Sequence, residues 1–302
     1  MAREVVAAPQ PPLLCHPPNG HPNAIGPKWA HGLFSASDIA RDSPRSRAFR
    51  NTFGWLLLYR LTLLGGVLLE GPEGPVIGPA TQQRRLALLA LVGSAGDRGR
   101  SRDQLISLLW PDTDPADARQ HLSHSLYALR GSLGDETVRT AGQYVRLSPS
   151  RIEVDSLVFE RALAVGDREA AADAYAGPFL DGFFVDDTPE FEHWVDEERR
   201  RLAKLYEETL EAAAAEAEQA GDGAASVKWW RRLVDHDPYN SAAVVHLMNA
   251  LCETGDPANA LIVARDHRER LQEDLGVEPT PEVEALAASI QRGKKQGPSR
   301  DR

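Results

Sequence analysis

SRDQLISLLWPDTDPADARQHLSHSLYALRGSLG, residues 101–134, reads as two helices with a break between them. Ser101 is a good N-cap, Leu105, Leu108 and Leu109 form an apolar stripe, and Pro111 stops the first helix. The second helix is expected over residues 116–133. In it Leu122, Leu126, Leu129 and Leu133 recur at i, i+4, i+7 and i+11, which buries one face, and Gly134 ends it. With that stripe turned inward, Gln120, Ser123, His124 and Tyr127 must point outward, and Arg119, His121 and Arg130 flank them. Asp112, Asp114 and Asp117 suit the positive end of the helix dipole but repel phosphate.

The surrounding segments extend this pair into a small domain. Upstream, YRLTLLGGVLLEG (59–71) is apolar and broken by glycines; GPEGP reads as a turn and VIGP as another short strand. A small antiparallel sheet of two to four strands is expected. ATQQRRLALLALVGSAGDRG (80–99) follows as a helix, with Thr81 as its cap and Leu86, Leu89 and Val92 at helical spacing. Downstream, TVRTAGQYVRLSPS (137–150) reads as strand, turn at Ala141-Gly142, strand, with Val138, Val145 and Leu147 as apolar positions. Strands, three helices and a hairpin are the plan of a winged helix-turn-helix.

Residues 152–290 read as helical throughout, with PFLDGFFVDDTPEFEHW as an aromatic connector and a long helix from about Pro189 to Ala220. Within them AEAEQAGDGAASVKWWR aligns with NALCETGDPANALIVAR at an offset of 34 residues, placing Gly221-Asp222 on Gly255-Asp256. That is the tetratricopeptide period, two helices per unit. The fold class is therefore mainly α: a winged helix-turn-helix with small antiparallel sheets, then an all-α tetratricopeptide-like repeat domain. The expected division is a disordered extension over 1–58, a winged helix over 59–150, a helical repeat domain over 151–291 and a flexible tail over 292–302. His16, His21 and His31 fall in the Pro- and Gly-rich extension and read as unstructured.

Charge and composition narrow the function. The chain has 302 residues and a net charge of −10, but residues 79–151 carry 10 Arg against 7 acids, whereas residues 152–302 carry 17 bases against 32 acids. Such asymmetry hints that one part meets an anion and the other does something else. Cys15 and Cys252 are the only cysteines, which argues against a disulfide framework or a four-cysteine zinc site and suits a reducing cytoplasm. The apolar run from Phe53 is interrupted by Arg60 and Gly65-Gly66 and is short for a membrane span, so no membrane role is expected.

LTLLGG, RRLALLALV, the quoted 101–134 stretch, RIEVDSLVFERAL, PFLDGFF, PEFEHWVDEERRRLA and DLGVEPTPEVEAL together resemble the bacterial transcriptional activator family, which includes the Streptomyces antibiotic regulatory proteins. The resemblance covers about residues 59–290, with its motifs in order; the first 58 residues are unlike the family pattern. It implies a sequence-specific transcription regulator, an activator, that joins a response-regulator-type winged helix to a helical activation domain of tetratricopeptide-like pairs. The helix over 116–133 would read the major groove of promoter DNA. Gln120 can read adenine, Ser123 and His124 can bond base edges or phosphate, and Arg119 and Arg130 suit phosphate contacts that fix register. His121 and Tyr127 complete that face. The wing, 137–148, would contact the backbone or minor groove through Arg139, Thr140, Gln143 and Arg146. RNA polymerase and a second copy of the chain are the further partners implied, with no cofactor.

Other readings of the same residues are a solvated polar face, a protein–protein adaptor without DNA binding, and a metal site on Asp117, His121 and His124. Trp194, Trp229, Trp230, Phe183 and Phe184 could be partner hot spots, although large aromatics more often pack between helices. No GxxxxGK[ST] loop, GxSxG elbow or HExxH pair supports an enzyme.

Overall fold

The computed structural model describes residues 59–295; the expectations for residues 1–58, Cys15 among them, and for the end of the tail lie outside that range. The architecture is mainly α, with two small sheets in its first half and helix pairs after them.

Strand β1 (Tyr59–Thr62) pairs antiparallel with β2 (Leu68–Gly71), and β2 with the two-residue β3 (Gly74–Pro75). The VIGP strand does not form. Val76 donates one backbone bond to Leu69 O, and Pro79 then opens a 3-10 turn. That turn also takes Thr81, whose hydroxyl bonds Gly78 O, so the next helix, α1 (Gln83–Ser94), has Gln82 at its N-cap position and no side-chain cap. Residues 87–93 of α1 are all buried, as their near-continuous apolar run requires.

Strand β4 (Arg100–Ser101) leads into α2 (Arg102–Leu109). Ser101 closes a capping box with Gln104: each side chain accepts from the other's backbone N–H, at 3.2 and 3.1 Å. Trp110 to Asp114 form the turn into α3 (Pro115–Leu133). The wing strands β5 (Val138–Ala141) and β6 (Tyr144–Leu147) are joined by a Gly142-Gln143 turn, one residue later than the sequence suggested. Gly142, at φ 59°, supplies the left-handed residue a two-residue hairpin needs. β6 lies between β4 and β5.

Residues 152–154 correct the reading of a helix from 152 onward. They form β7 (Ile152–Val154), which runs parallel to β1 with Leu61 opposite Val154. A strand pairing across about ninety intervening residues leaves no local periodicity to read, and two of its three side chains are buried as in a core strand.

From there the chain is helical: α4 (Asp155–Ala164), α5 (Arg168–Ala174), α6 (Pro189–Ala220), α7 (Gly223–His236), α8 (Ser241–Glu253), α9 (Pro257–Arg270) and α10 (Pro281–Lys295), with a π-turn over Leu271–Leu275. The Gly-Asp turn recurs three times. At Gly166-Asp167, Gly221-Asp222 and Gly255-Asp256 the glycine has positive φ, and the aspartate N–H bonds a carbonyl five residues back. Each aspartate side chain then caps the following helix. The first copy was not visible as part of the 34-residue repeat, because the 175–188 connector lengthens that interval.

The two halves join where LTLLGG meets PFLDGFF. Leu180 N–H donates to Leu63 O (2.7 Å) and Gly65 N–H to Pro178 O (2.9 Å). Arg199 on α6 donates to Phe179 O and Leu180 O, both at 2.7 Å. Asp155, at the start of α4, adds a second tie. Its carboxylate accepts from the N–H groups of Leu63, Leu64 and Ser156 at 2.8–3.0 Å. Burial pushes this carboxyl up to about 6, against those N–H donors, which hold it down.

Candidate nucleic-acid interface

Helix α3 starts at Asp114, whose side chain accepts from Ala116 N–H at 2.8 Å, with Pro115 in the first turn. Leu122, Leu126, Leu129 and Leu133 are buried against the rest of the unit. Truncating one such leucine costs about 2–5 kcal/mol, so the stripe fixes the helix's rotation. Arg119, Gln120, His121, Ser123, His124 and Tyr127 are consequently exposed on the opposite side, Tyr127 at 81%. Ser123 Oγ donates back to Arg119 O at 2.8 Å, which leaves its lone pairs facing out. His121 lies at the rim, its ring parallel to that of the buried Trp110 with centroids 6.2 Å apart.

Arg130 sits differently from the other six. Its Nε donates to Val138 O (2.9 Å) and its Nη2 to Thr140 Oγ1 (2.5 Å), so it straps the wing to α3. The structure thus brings Arg130 and Thr140 together. On the wing's outer face Arg139 stands directly opposite Arg146 in the β5–β6 register, and both are exposed. Like charges in that position repel unless an anion lies near them; Glu136 pairs with Arg139. Gln143 is exposed at the tip.

Two residues of this surface were missed in the sequence. Arg102 is the first residue of α2, and its backbone N–H bonds Gln143 O at the wing tip (2.9 Å). Tyr144 is 46% exposed beside the same turn. Only the β4–β6 pairing, which places Ser101 opposite Tyr144, brings the start of α2 to the wing. Among the described residues, the side chains of Arg102, Arg119 and Arg146 have no carboxylate or hydrogen-bond partner. In the helical half several arginines are paired, Arg168 with Glu216, Arg201 with Glu160 and Glu198, Arg232 with Asp173 and Arg268 with Glu284, while Arg161, Arg231 and Arg270 have no carboxylate partner among the described residues. Unmatched exposed cations are available to a polyanion.

Asp117, His121 and His124 share the exposed face of α3, but among the described residues no three His, Cys, Asp or Glu side chains are arranged to hold a metal ion. No helix among them is long and apolar enough to cross a membrane.

A family model described as the bacterial transcriptional activator domain matches residues 154–291. Residues 154–291 are similar to that domain. That domain family is one of transcription regulation and not of enzymes. Regulatory protein AfsR of Streptomyces griseus is 28% identical over 248 residues, a stretch covering 78% of this chain and 25% of that protein. The chain therefore spans about a quarter of that curated relative's length. A solved structure of Mycobacterium tuberculosis EmbR, in complex with a low-affinity phosphopeptide, has a TM-score of 0.49 at 22% identity, over 78% of this chain and 65% of that one.

Within residues 154–291 the five aromatics singled out above are core or near it, with one exception. Trp229 and Trp230 are buried, Trp194 and Phe183 are partly buried against the core, and Phe184 alone of the five is exposed, at 61%. Trp230 Nε1–H donates to Glu218 (2.7 Å) and its ring stacks on His246 at 4.3 Å. Residues 152–302 carry 17 bases against 32 acids, whereas the segment with α3 and the wing has an excess of arginine.

Proposed function

We propose that this chain is a sequence-specific DNA-binding activator of transcription. The DNA-binding unit is 59–150 and the activator unit 151–291. The single observation that carries the reading is the face of α3. Its buried leucines hold Gln120, Ser123, His124 and Tyr127 outward, beside a wing whose Arg146 is unmatched, in a chain whose residues 154–291 match a transcriptional activator domain. In this reading α3 enters the major groove of promoter DNA, with Arg119, Gln120, His121, Ser123, His124 and Tyr127 toward the bases and backbone. The wing contacts the adjacent backbone or minor groove through Arg139, Gln143 and Arg146. Arg130 and Thr140 act there mainly by holding the wing, with Arg102 and Tyr144 as additional phosphate contacts. The activator unit serves dimerisation or recruits RNA polymerase, and the protein works in the cytoplasm, where promoter DNA is.

The acids at the start of α3 and the modest excess of arginine limit the affinity of one copy for one site. Two copies on tandem or paired half-sites supply the remainder. A mobility-shift assay with fragments of the neighbouring promoters tests the reading. Salt-sensitive binding that prefers particular fragments is expected. Equal binding to all fragments overturns the sequence-specific part. Absence of binding even at low salt overturns the whole reading in favour of a protein–protein adaptor.

A further inference from the structure

The seam between α2 and α6 holds an unused guanidinium. Two open clefts, of about 530 and about 520 Å³, lie on either side of Arg100. The first is bounded by the 96–99 loop, Gln104, Glu198 and Arg201. The second has Leu108, Pro189 and Trp194 as its apolar wall, with Glu190, His193 and Glu197 at its rim. Arg100 Nε–H donates to Leu91 O at 2.9 Å, and the guanidinium carbon lies 4.8 Å from the Trp194 ring centroid. Its Nη1 and Nη2 groups have no hydrogen-bond partner among the described residues. The carboxylates of the first cleft, Glu198 and Glu160, are taken up by Arg201. Burial lowers the pKa of Arg100, with Glu198 opposing that shift from a distance.

A half-buried guanidinium that makes one hydrogen bond leaves much of its desolvation uncompensated. Its remaining N–H groups form a planar fork that fits one carboxylate bidentately. Clefts of this size, at a seam between domains and mainly apolar on one side, fall in the range of small-molecule sites, about 300–1,000 Å³.

We propose that the α2–α6 seam binds a small organic carboxylic acid, its carboxylate on Nη1 and Nη2 of Arg100 and its apolar body against Leu108, Pro189 and Trp194. Glu190 and Glu197 at the rim repel a second negative charge, so the ligand is a monoanion rather than a phosphate or a dicarboxylate. Such a ligand touches the first helix of the helix-turn-helix and the first long helix of the activator domain together, which places an effector where it can bias one against the other. The proposal goes beyond DNA binding and does not depend on it.

Calorimetric titration of the full chain with benzoate, benzamide and inorganic phosphate tests it. Benzoate is expected to bind in the millimolar range or tighter, and benzamide and phosphate about tenfold weaker or worse, since a charge-assisted pair is worth about 1.5–3 kcal/mol. Arg100→Gln should weaken benzoate by about the same factor. Arg100→Lys, which keeps the charge but not the fork, should weaken it too. Leu108→Trp, which fills the second cleft and leaves Arg100 in place, should abolish binding even if the Arg100 variants fail to fold. No benzoate binding, equal binding of acid and amide, or unchanged affinity in Leu108→Trp overturns the proposal.

Discussion

Replacing Asp155 with Asn should change how stability depends on pH, by an amount the structure sets. The carboxyl titrates near 6 in the folded chain, against 3.8 for an unperturbed aspartate, because burial penalises the charged form more than the N–H groups of Leu63, Leu64 and Ser156 favour it. Between those two values the folded chain holds a proton that the unfolded chain has released. This group therefore contributes stability that is fully present at low pH and is lost as pH rises through about 6. The whole span is worth about 3 kcal/mol, and about 1.4 kcal/mol of it is recovered on going from pH 7.5 to pH 5. Asn keeps one acceptor oxygen but turns an amide N–H₂ toward backbone N–H donors. At least one of those donors loses its partner, at a cost of about 1–3 kcal/mol. Near pH 7.5 that loss roughly cancels the relief of removing a buried charge, so the two proteins should be of similar stability. At pH 5 the native protein should lead by about 1.4 kcal/mol more than at pH 7.5. Urea denaturation of both proteins at the two pH values measures the difference, and comparison with the variant cancels every other titrating group. A difference that does not change with pH, or changes in the opposite direction, refutes the reasoning that burial dominates at this tie between the two halves.

Other substitutions probe the elements that present the candidate interface. Gly99→Ala should destabilise the wing severely, by about 2 kcal/mol or more, because residue 99 sits at φ 65° and a Cβ there would lie 2.4 Å from Val145 O; a thermal midpoint within a degree or two of native contradicts this. Ser101→Ala removes the capping box of α2 and should cost about 1 kcal/mol by urea unfolding. Arg130→Ala should release the wing from α3, cost about 1–2 kcal/mol, and speed amide exchange in residues 138–147 more than in α6. Uniform exchange rates across both would show that Arg130 is not a strap.

How far these features are legible in the sequence depends on range. The leucine stripe of α3 orients that helix within a single segment, so its outward residues could be named in advance. Ser101 as a cap and the Pro189–Ala220 helix are likewise local patterns. What escaped reading was set by distant pairing. β7 joins β1 in parallel, and its three residues look like the start of a helix until that partner is present. Arg102 and Tyr144 come beside the wing tip only through the β4–β6 ladder. Arg130 looked like a phosphate contact because its helical position is outward, yet the wing's Val138 carbonyl lies within its reach. Thr81 failed as a cap because Pro79 drew it into a 3-10 turn.

The central claim is that the exposed face of α3 reads base sequence. Fluorescence anisotropy, at one fixed salt concentration, of the native chain and the Gln120→Ala, His124→Ala double variant tests it on a selected promoter fragment and on a scrambled fragment of equal length. The affinity ratio between the two fragments should fall in the double variant by about tenfold or more, since a good base contact discriminates by about 1–3 kcal/mol, while affinity for the scrambled fragment changes little. Equal losses on both fragments, leaving the ratio unchanged, would contradict the claim and reduce these side chains to positioning groups.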